Sequence, residues 1–315
     1  MSVLQKFQKP PLGRQKLIDL MIARGLSLPT IEHQSRARDA ISRIGYYRLT
    51  GYMPIFQVGG HGPNKHDFLQ GVTLEQILSL YSFDTQVRAH LSTGLELIEV
   101  AFRTSICDHM CRSTQNSHWM LDSNNFRERT HSRNLEEFKD AALSTGTKSD
   151  SITNYFNKYD DPFLPPAWVL RESISFGTWS RLYNDLEAKD QKSVSDDWLY
   201  PGTKDRIDHT LLIKWIRALV ILRNTCAHHS RVTNRTFSFP PEASKHAAVK
   251  QLFNEIETDL RTLIAIISIL IKIVKPKSVW LRQLNILFET HSRSVDVARS
   301  TGFSPNWRND VIWDY

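Results

Sequence analysis

Apolar side chains recur at three- and four-residue intervals through most of this chain, and alternation at period two is scarce, so the pattern predicts an all-α fold. The longest stripe runs Leu80, Phe83, Val87, Leu91, Leu95, Ile98, Phe102 and Ile106. Thr73 and Gln76 form a capping box ahead of it, which predicts one long helix or a kinked pair. Upstream, Arg14 to Ala23 carries Leu17, Ile18, Leu20, Met21 and Ile22, and Gly25 supplies a stop. A second helix opens at Pro29-Thr30 and runs through Ala40, Ile41 and Ile44 to Gly45. Val58 to Asp67 breaks every periodicity and reads as a surface loop. It lacks the Gly-Lys-Ser/Thr ending of a phosphate-binding loop.

Arg112 to Asp150 is polar and poorly periodic, with His118-Trp119-Met120 and Leu135 to Leu143 as its anchors, and predicts a long, partly helical connection. Pro165-Pro166 opens a helix over Ala167 to Leu186, kinked at Gly177. A loop through Pro201-Gly202 leads to Asp205, a candidate cap for the next helix. Arg231 to Lys245 is turn-rich, Val249 to Val274 predicts a very hydrophobic helix, Ser278 to Thr290 another, and Gly302 to Tyr315 closes the chain. The run Leu263 to Val274 is too short to span a bilayer and contains Lys272, so it predicts a buried helix or an oligomer contact.

The stretch Leu211 to Arg231 (LLIKWIRALVILRNTCAHHSR) stands apart. Leu212, Trp215, Ile216, Leu219, Val220 and Leu222 form a buried stripe. Steps of four lead from Leu219 to Arg223 and from Val220 through Asn224 to His228, which predicts that this polar trio continues the core-facing side. A guanidinium there needs an anion or a carboxylate.

Composition narrows the classes of protein. A hydrophobic share of 41% with 23% charged residues describes a globular chain, not a disordered one. A net charge of +7 suits a polyanionic partner such as RNA, and equally a merely basic surface. Three cysteines, Cys107, Cys111 and Cys226, with no signal-peptide pattern over Met1 to Leu12, predict reduced thiols and a cytoplasmic setting, with no membrane association. No Gly-x-Ser-x-Gly elbow, His-Glu-x-x-His helix or dinucleotide fingerprint occurs.

Three groups of residues carry candidate chemistry. Imidazole at His228 can move a proton near neutral pH, guanidinium at Arg223 can stabilise charge on a phosphorane-like transition state, and the amide of Asn224 can orient either one. These parts suffice for a ribonuclease that uses the RNA's own 2′-hydroxyl as nucleophile, and they suit a buried structural network as well. Spacing alone does not select this trio, because Arg103 with His109 and Arg112 with His118 fit the same loose pattern. Cys107, His109, Cys111 and His118 have one pair at helical spacing and no second close pair, so no metal or other cofactor is expected. Tyr46, Tyr47 and Arg48, with Arg231, are candidates for RNA contact, and the tyrosines also fit a packed helix whose hydroxyls reach water.

Five landmarks occur in order: IGYYRLTGY from Ile44, the helix segment Phe83 to Thr104, PPAWVLRESISFGTWSRLY from Pro165, LRNTCAH from Leu222, and GFSPNW from Gly302. Together they make the chain resemble the Abi-like (AbiD/AbiF) abortive-infection proteins, a branch of the HEPN superfamily. The resemblance implies a HEPN-type helical bundle with an N-terminal helical extension. Residues 1–70 would form the extension, 71–292 the bundle with a polar insertion near 112–150, and 293–315 a tail packing back. It further implies a toxin of phage defence, with Arg223 and His228 as the Arg-x4-His ribonuclease motif and Asn224 at its polar position. Glu99 and Arg103 fall in the family's Glu-x3-Arg stretch as supporting residues. In related RNases two such motifs meet in one metal-independent site, so a homodimer is expected to complete it, with a regulatory RNA or a protein antitoxin as a further partner. A non-catalytic RNA-binding protein, or a helical scaffold in a defence complex, remains open at this point.

Overall fold

The computed structural model describes residues 10–143, 149–237, 241–253 and 259–315. Among these no β-strand forms, and the chain is all-α. Contacts divide it into two units. One comprises Met1–Gln86 and Phe288–Val297, the other Val87–Leu287 and Ala298–Tyr315.

In the first unit, α1 (Arg14–Ala23) buries Ile18 and Met21. It ends in a Schellman turn: Leu26 N–H bonds Met21 O at 3.0 Å and Gly25 N–H bonds Ile22 O at 2.8 Å. Gly25, at φ +90°, takes the left-handed position for which a side chain is costly. The next helix, α2 (Ile31–Arg43), is capped by Thr30, whose hydroxyl accepts from His33 N–H, and it buries Ala37, Ala40 and Ile41. Gly45 turns the chain into the short α3 (Tyr46–Thr50), which buries Leu49. Beyond it, the buried Tyr52 donates to Asp84 at 2.9 Å and meets Tyr81 edge-on.

The predicted stripe is realised as a single helix, α4 (Leu74–Thr114). Its capping box is intact, with Thr73 N–H bonding Gln76 Oε1 at 2.9 Å and Gln76 N–H bonding Thr73 Oγ1 at 3.4 Å. All eight stripe residues from Leu80 to Ile106 are buried.

In the second unit the polar segment after α4 is built into the core. Trp119 and Met120 lie in a buried turn, and α5 (His131–Leu143) sets Phe138 edge-on against Trp119 and Trp179. The described part of the segment thus contributes few apolar residues but large ones. After α6 (Asp150–Phe156), the expected helix over Ala167 to Leu186 is two. α7 (Ala167–Leu170) ends in a 3-10 turn, and α8 (Phe176–Asp185) begins after Ser175. The break lies at Ile174, which is extended, and not at Gly177. Ser175 causes it by accepting from Thr178 N–H at 3.1 Å, a cap that competes with continued helix.

A polar helix that the periodicity does not announce comes next, α9 (Ala188–Ser195). It is held by the buried Gln191, whose amide bonds the carbonyls of Tyr183, Asn184 and Leu186 at 2.9 to 3.1 Å. The cap of α10 (His209–Ala227) is Asp208, not Asp205; its carboxylate accepts from Thr210 N–H at 2.8 Å. The hydrophobic helix expected from Val249 starts only at Leu260. Residues 250–252 form a 3-10 turn, 254–258 lie outside the described residues, and Asp259 caps α11 (Leu260–Val274). Every residue of α11 from Leu260 to Ile271 is buried, so this part of the run is an internal helix. Among the described residues no helix is long and apolar enough to cross a membrane. The chain continues through α12 (Trp280–His291) and α13 (Val297–Thr301) and closes in 3-10 turns.

Candidate functional site

The centre of the site is the side of α4 that carries Glu99 and Arg103, together with the last turn of α10. Glu99 is only 6% exposed. It holds two guanidiniums: Arg103 by a close ion pair, and Arg223 with Nε 3.4 Å from Oε2. Arg103 continues to Glu172, with Nη1 donating to Oε2 at 3.2 Å, and Arg171 Nε lies 3.0 Å from the other oxygen of Glu172. The result is a chain of alternating charge, Arg223, Glu99, Arg103, Glu172 and Arg171. The requirement that Arg223 meet a carboxylate is therefore satisfied by Glu99. Sequence reasoning missed Arg171 and Glu172; the signal was the Arg-Glu pair inside the RESISFG part of the third landmark, next to the helix break.

The trio does not face the core as a whole. Arg223 is half-buried, while Asn224 and His228 are exposed, and the buried line runs instead through Leu222, Thr225 and Cys226. The reason is angular. At about 100° per residue, Cys226 lies about 20° from Leu219, Arg223 about 40°, Asn224 about 140° and His228 about 180°. Each step of four adds about 40°, so two such steps from Val220, already at the stripe's edge, leave the buried face. Arg223 Nη1 reaches Asn224 Oδ1 at 3.4 Å. Arg223 and His228 are separated by about 140° and about 7.5 Å along the helix, so their side chains diverge within one chain.

His228 is the C-cap of α10, and its N–H bonds Asn224 O at 2.9 Å. The turn beyond it repeats the Schellman geometry of α1: Ser230 N–H bonds Thr225 O at 2.9 Å and His229 N–H bonds Cys226 O at 3.0 Å. Here the left-handed position, at φ +55°, is held by His229 where α1 has glycine. A strained non-glycine beside the motif fixes the direction in which the chain leaves His228.

The other candidates fall in both units. Tyr46, Tyr47 and Arg48 belong to the first unit and Arg231 to the second. Tyr47 is 91% exposed, whereas Tyr46 is partly buried and receives Arg24 Nη1 at 3.5 Å, so α3 is a packed helix with one tyrosine open to solvent. Of the two chance matches to the motif, His109 pairs with Asp190 at 3.1 Å, and His118 packs near Tyr155 with its pKa lowered by burial. Burial pushes the Cys107 thiol up to about 12 and raises Cys111 as well. All three cysteines are free. Among the described residues no three His, Cys, Asp or Glu side chains gather as a metal site.

The fold defines an all-helical protein with a charged network where α4 meets the end of α10. The model of the Abi-like protein family matches residues 39–234, more than half of the chain and all of this network. The chain belongs to the Abi-like family, which connects it with abortive infection and phage defence. No curated protein and no solved structure matches it.

Proposed function

We propose that the protein is an endoribonuclease of a HEPN-type abortive-infection system, acting in the cytoplasm as a toxin. His228 serves as general acid or base, Arg223 stabilises the charge that develops on the phosphate, and Asn224 positions them. The RNA's 2′-hydroxyl attacks the adjacent phosphorus, its proton passing to a base, while the 5′-oxygen of the next nucleotide leaves with a proton. No protein nucleophile and no metal enters this scheme.

The observation that carries the reading is the anchoring of Arg223 by Glu99. It holds a half-exposed guanidinium at the end of α10 next to two exposed groups, an amide and an imidazole, suited to phosphate chemistry. The divergence of Arg223 and His228 supports a composite site, in which a second copy of the chain brings its own motif to the same phosphate.

Cleavage of labelled single-stranded RNA by the purified full-length protein tests this. Arg223→Ala and His228→Ala are each expected to lower the rate by roughly two to four orders of magnitude. Unchanged cleavage by both variants refutes the assignment. Salt-dependent RNA binding with no cleavage by the wild type would instead establish a non-catalytic RNA-binding protein.

A further inference from the structure

A cleft of about 560 Å³ lies along α8 and α10 and ends at Asn224. Its walls are two helix faces. From α8 come Gly177, Ser180, Arg181 and Asn184, at spacings of three, one and three. From α10 come Ile213, Arg217, Val220, Ile221 and Asn224, which continue along the same face to His228. The face of α10 that turns away from the core is thus one continuous row, leading from the cleft to the candidate site.

The lining has two chemistries. Gly177, Ile213, Val220 and Ile221 make an apolar floor, and the cleft's volume lies within the range of small-ligand pockets. Around it stand Arg133, Arg181 and Arg217 against one carboxylate, Asp185. Asp185 is buried and already receives Arg133 and the amide of Asn134, while Arg181 is paired with Glu137. The amides of Asn184 and Asn224 can read polar base edges, and a guanidinium plane can cover a base face. A phosphate ion alone would not use the apolar floor. A purely apolar ligand would draw nothing from the arginines around the floor.

We propose that this cleft binds one unstacked nucleotide of single-stranded RNA, with the base on the apolar floor and the phosphate between Arg217 and Arg181. The next phosphate along the strand then falls toward Asn224 and His228, which continue the same row of α10. Single strands are preferred over duplex RNA because a paired base must first be unpaired and unstacked, which costs free energy, before it enters. The proposal rests on the ribonuclease reading for the cleavage step after binding, but not for the binding itself.

The test is fluorescence anisotropy of a labelled single-stranded RNA with full-length protein carrying His228→Ala, so that the RNA stays intact. Gly177→Met places a side chain on the floor, and its Cβ meets Val220 Cγ1 at 3.5 Å, an ordinary contact. Arg217→Glu reverses a charge at an exposed position and carries the test alone if Gly177→Met melts early. Each is expected to weaken binding about tenfold, and Arg217→Glu is expected to reduce the slope of log affinity against log salt by about one or more. Binding within about twofold of the parent for Arg217→Glu overturns the proposal, as does a Gly177→Met variant that changes oligomeric state but not RNA affinity, which would make the occupant a second copy. If the otherwise wild-type protein fails to cleave RNA while the cleft variants still lose binding, the ribonuclease reading falls and the cleft stands.

Discussion

Replacing Glu99 by alanine removes the carboxylate shared by Arg103 and Arg223, and its two effects can be separated. At 3.4 Å the Glu99–Arg223 attraction is about 5 kcal/mol before desolvation, with an effective dielectric constant of about 20. Arg223 is 41% exposed, so water competes for most of that, and about 1 kcal/mol of net coupling remains. Arg103 is different, with a side chain only 12% exposed. Stranding a buried charge costs about 3–5 kcal/mol, but Glu172 still holds Arg103 at 3.2 Å, so a global loss of about 2–3 kcal/mol is expected. Urea unfolding of Glu99→Ala, Arg223→Ala and the double variant measures both terms through a double-mutant cycle. In the cleavage assay Glu99→Ala is expected to lower the rate about tenfold, because the guanidinium is no longer held where phosphate charge develops. With alanine at 223, the Glu99 substitution should cost no further activity. If Glu99→Ala lowers cleavage equally in both backgrounds, or leaves the wild-type rate unchanged while folded, the carboxylate does not act through Arg223 and its positioning role is refuted.

Three further predictions concern stability. His229→Gly relieves the left-handed residue after α10 and is expected to raise stability by about 1 kcal/mol in chemical denaturation; a loss would mean that the imidazole's own contacts outweigh the strain. Asp310→Ala should cost about 3–5 kcal/mol, because Arg261 is fully buried and donates to both Asp310 oxygens at 3.1 and 2.6 Å; a change below about 1 kcal/mol would refute that role. Burial lowers the pKa of His90, His118 and His291 below the usual value near 6.5, so in that window the folded chain binds fewer protons than the unfolded one. Stability should therefore be complete above about pH 6.5 and be lost as pH falls through the folded values, and a urea midpoint that stays flat from pH 7 to 5 would contradict it.

Wherever one local rule decided the outcome, the chain could be read without coordinates. Eight apolar residues from Leu80 to Ile106 and the Thr73–Gln76 box specify α4, and Gly25 ends α1, because both depend on neighbours within a turn or on steric freedom at one residue. The errors have physical causes. Chaining steps of four overlooks the drift of about 40° per step, which moved Asn224 and His228 onto the core face. Ser175 broke a helix that its apolar content favoured, since a side-chain cap outweighs propensity at a single position. The polar α9 is stabilised by the buried amide of Gln191 and carries no apolar stripe to announce it. The partners of the site were the least legible. Glu99 and Arg223 lie on different helices, Glu172 sits in a 3-10 turn, and the cleft of Arg181 and Arg217 exists only once α8 packs on α10.

The proposed ribonuclease would cleave RNA through the RNA's own 2′-hydroxyl at a site built on Arg223 and His228. The most direct measurement compares cleavage of one single-stranded RNA with that of the same strand carrying a 2′-deoxy sugar at the cleaved position, with the product ends identified by mass spectrometry. The expected result is 2′,3′-cyclic phosphate and 5′-hydroxyl ends from the all-ribose strand, no cut at the deoxy position, and loss of both products in His228→Ala. Cleavage at the deoxy position, or equal products from His228→Ala, would contradict it.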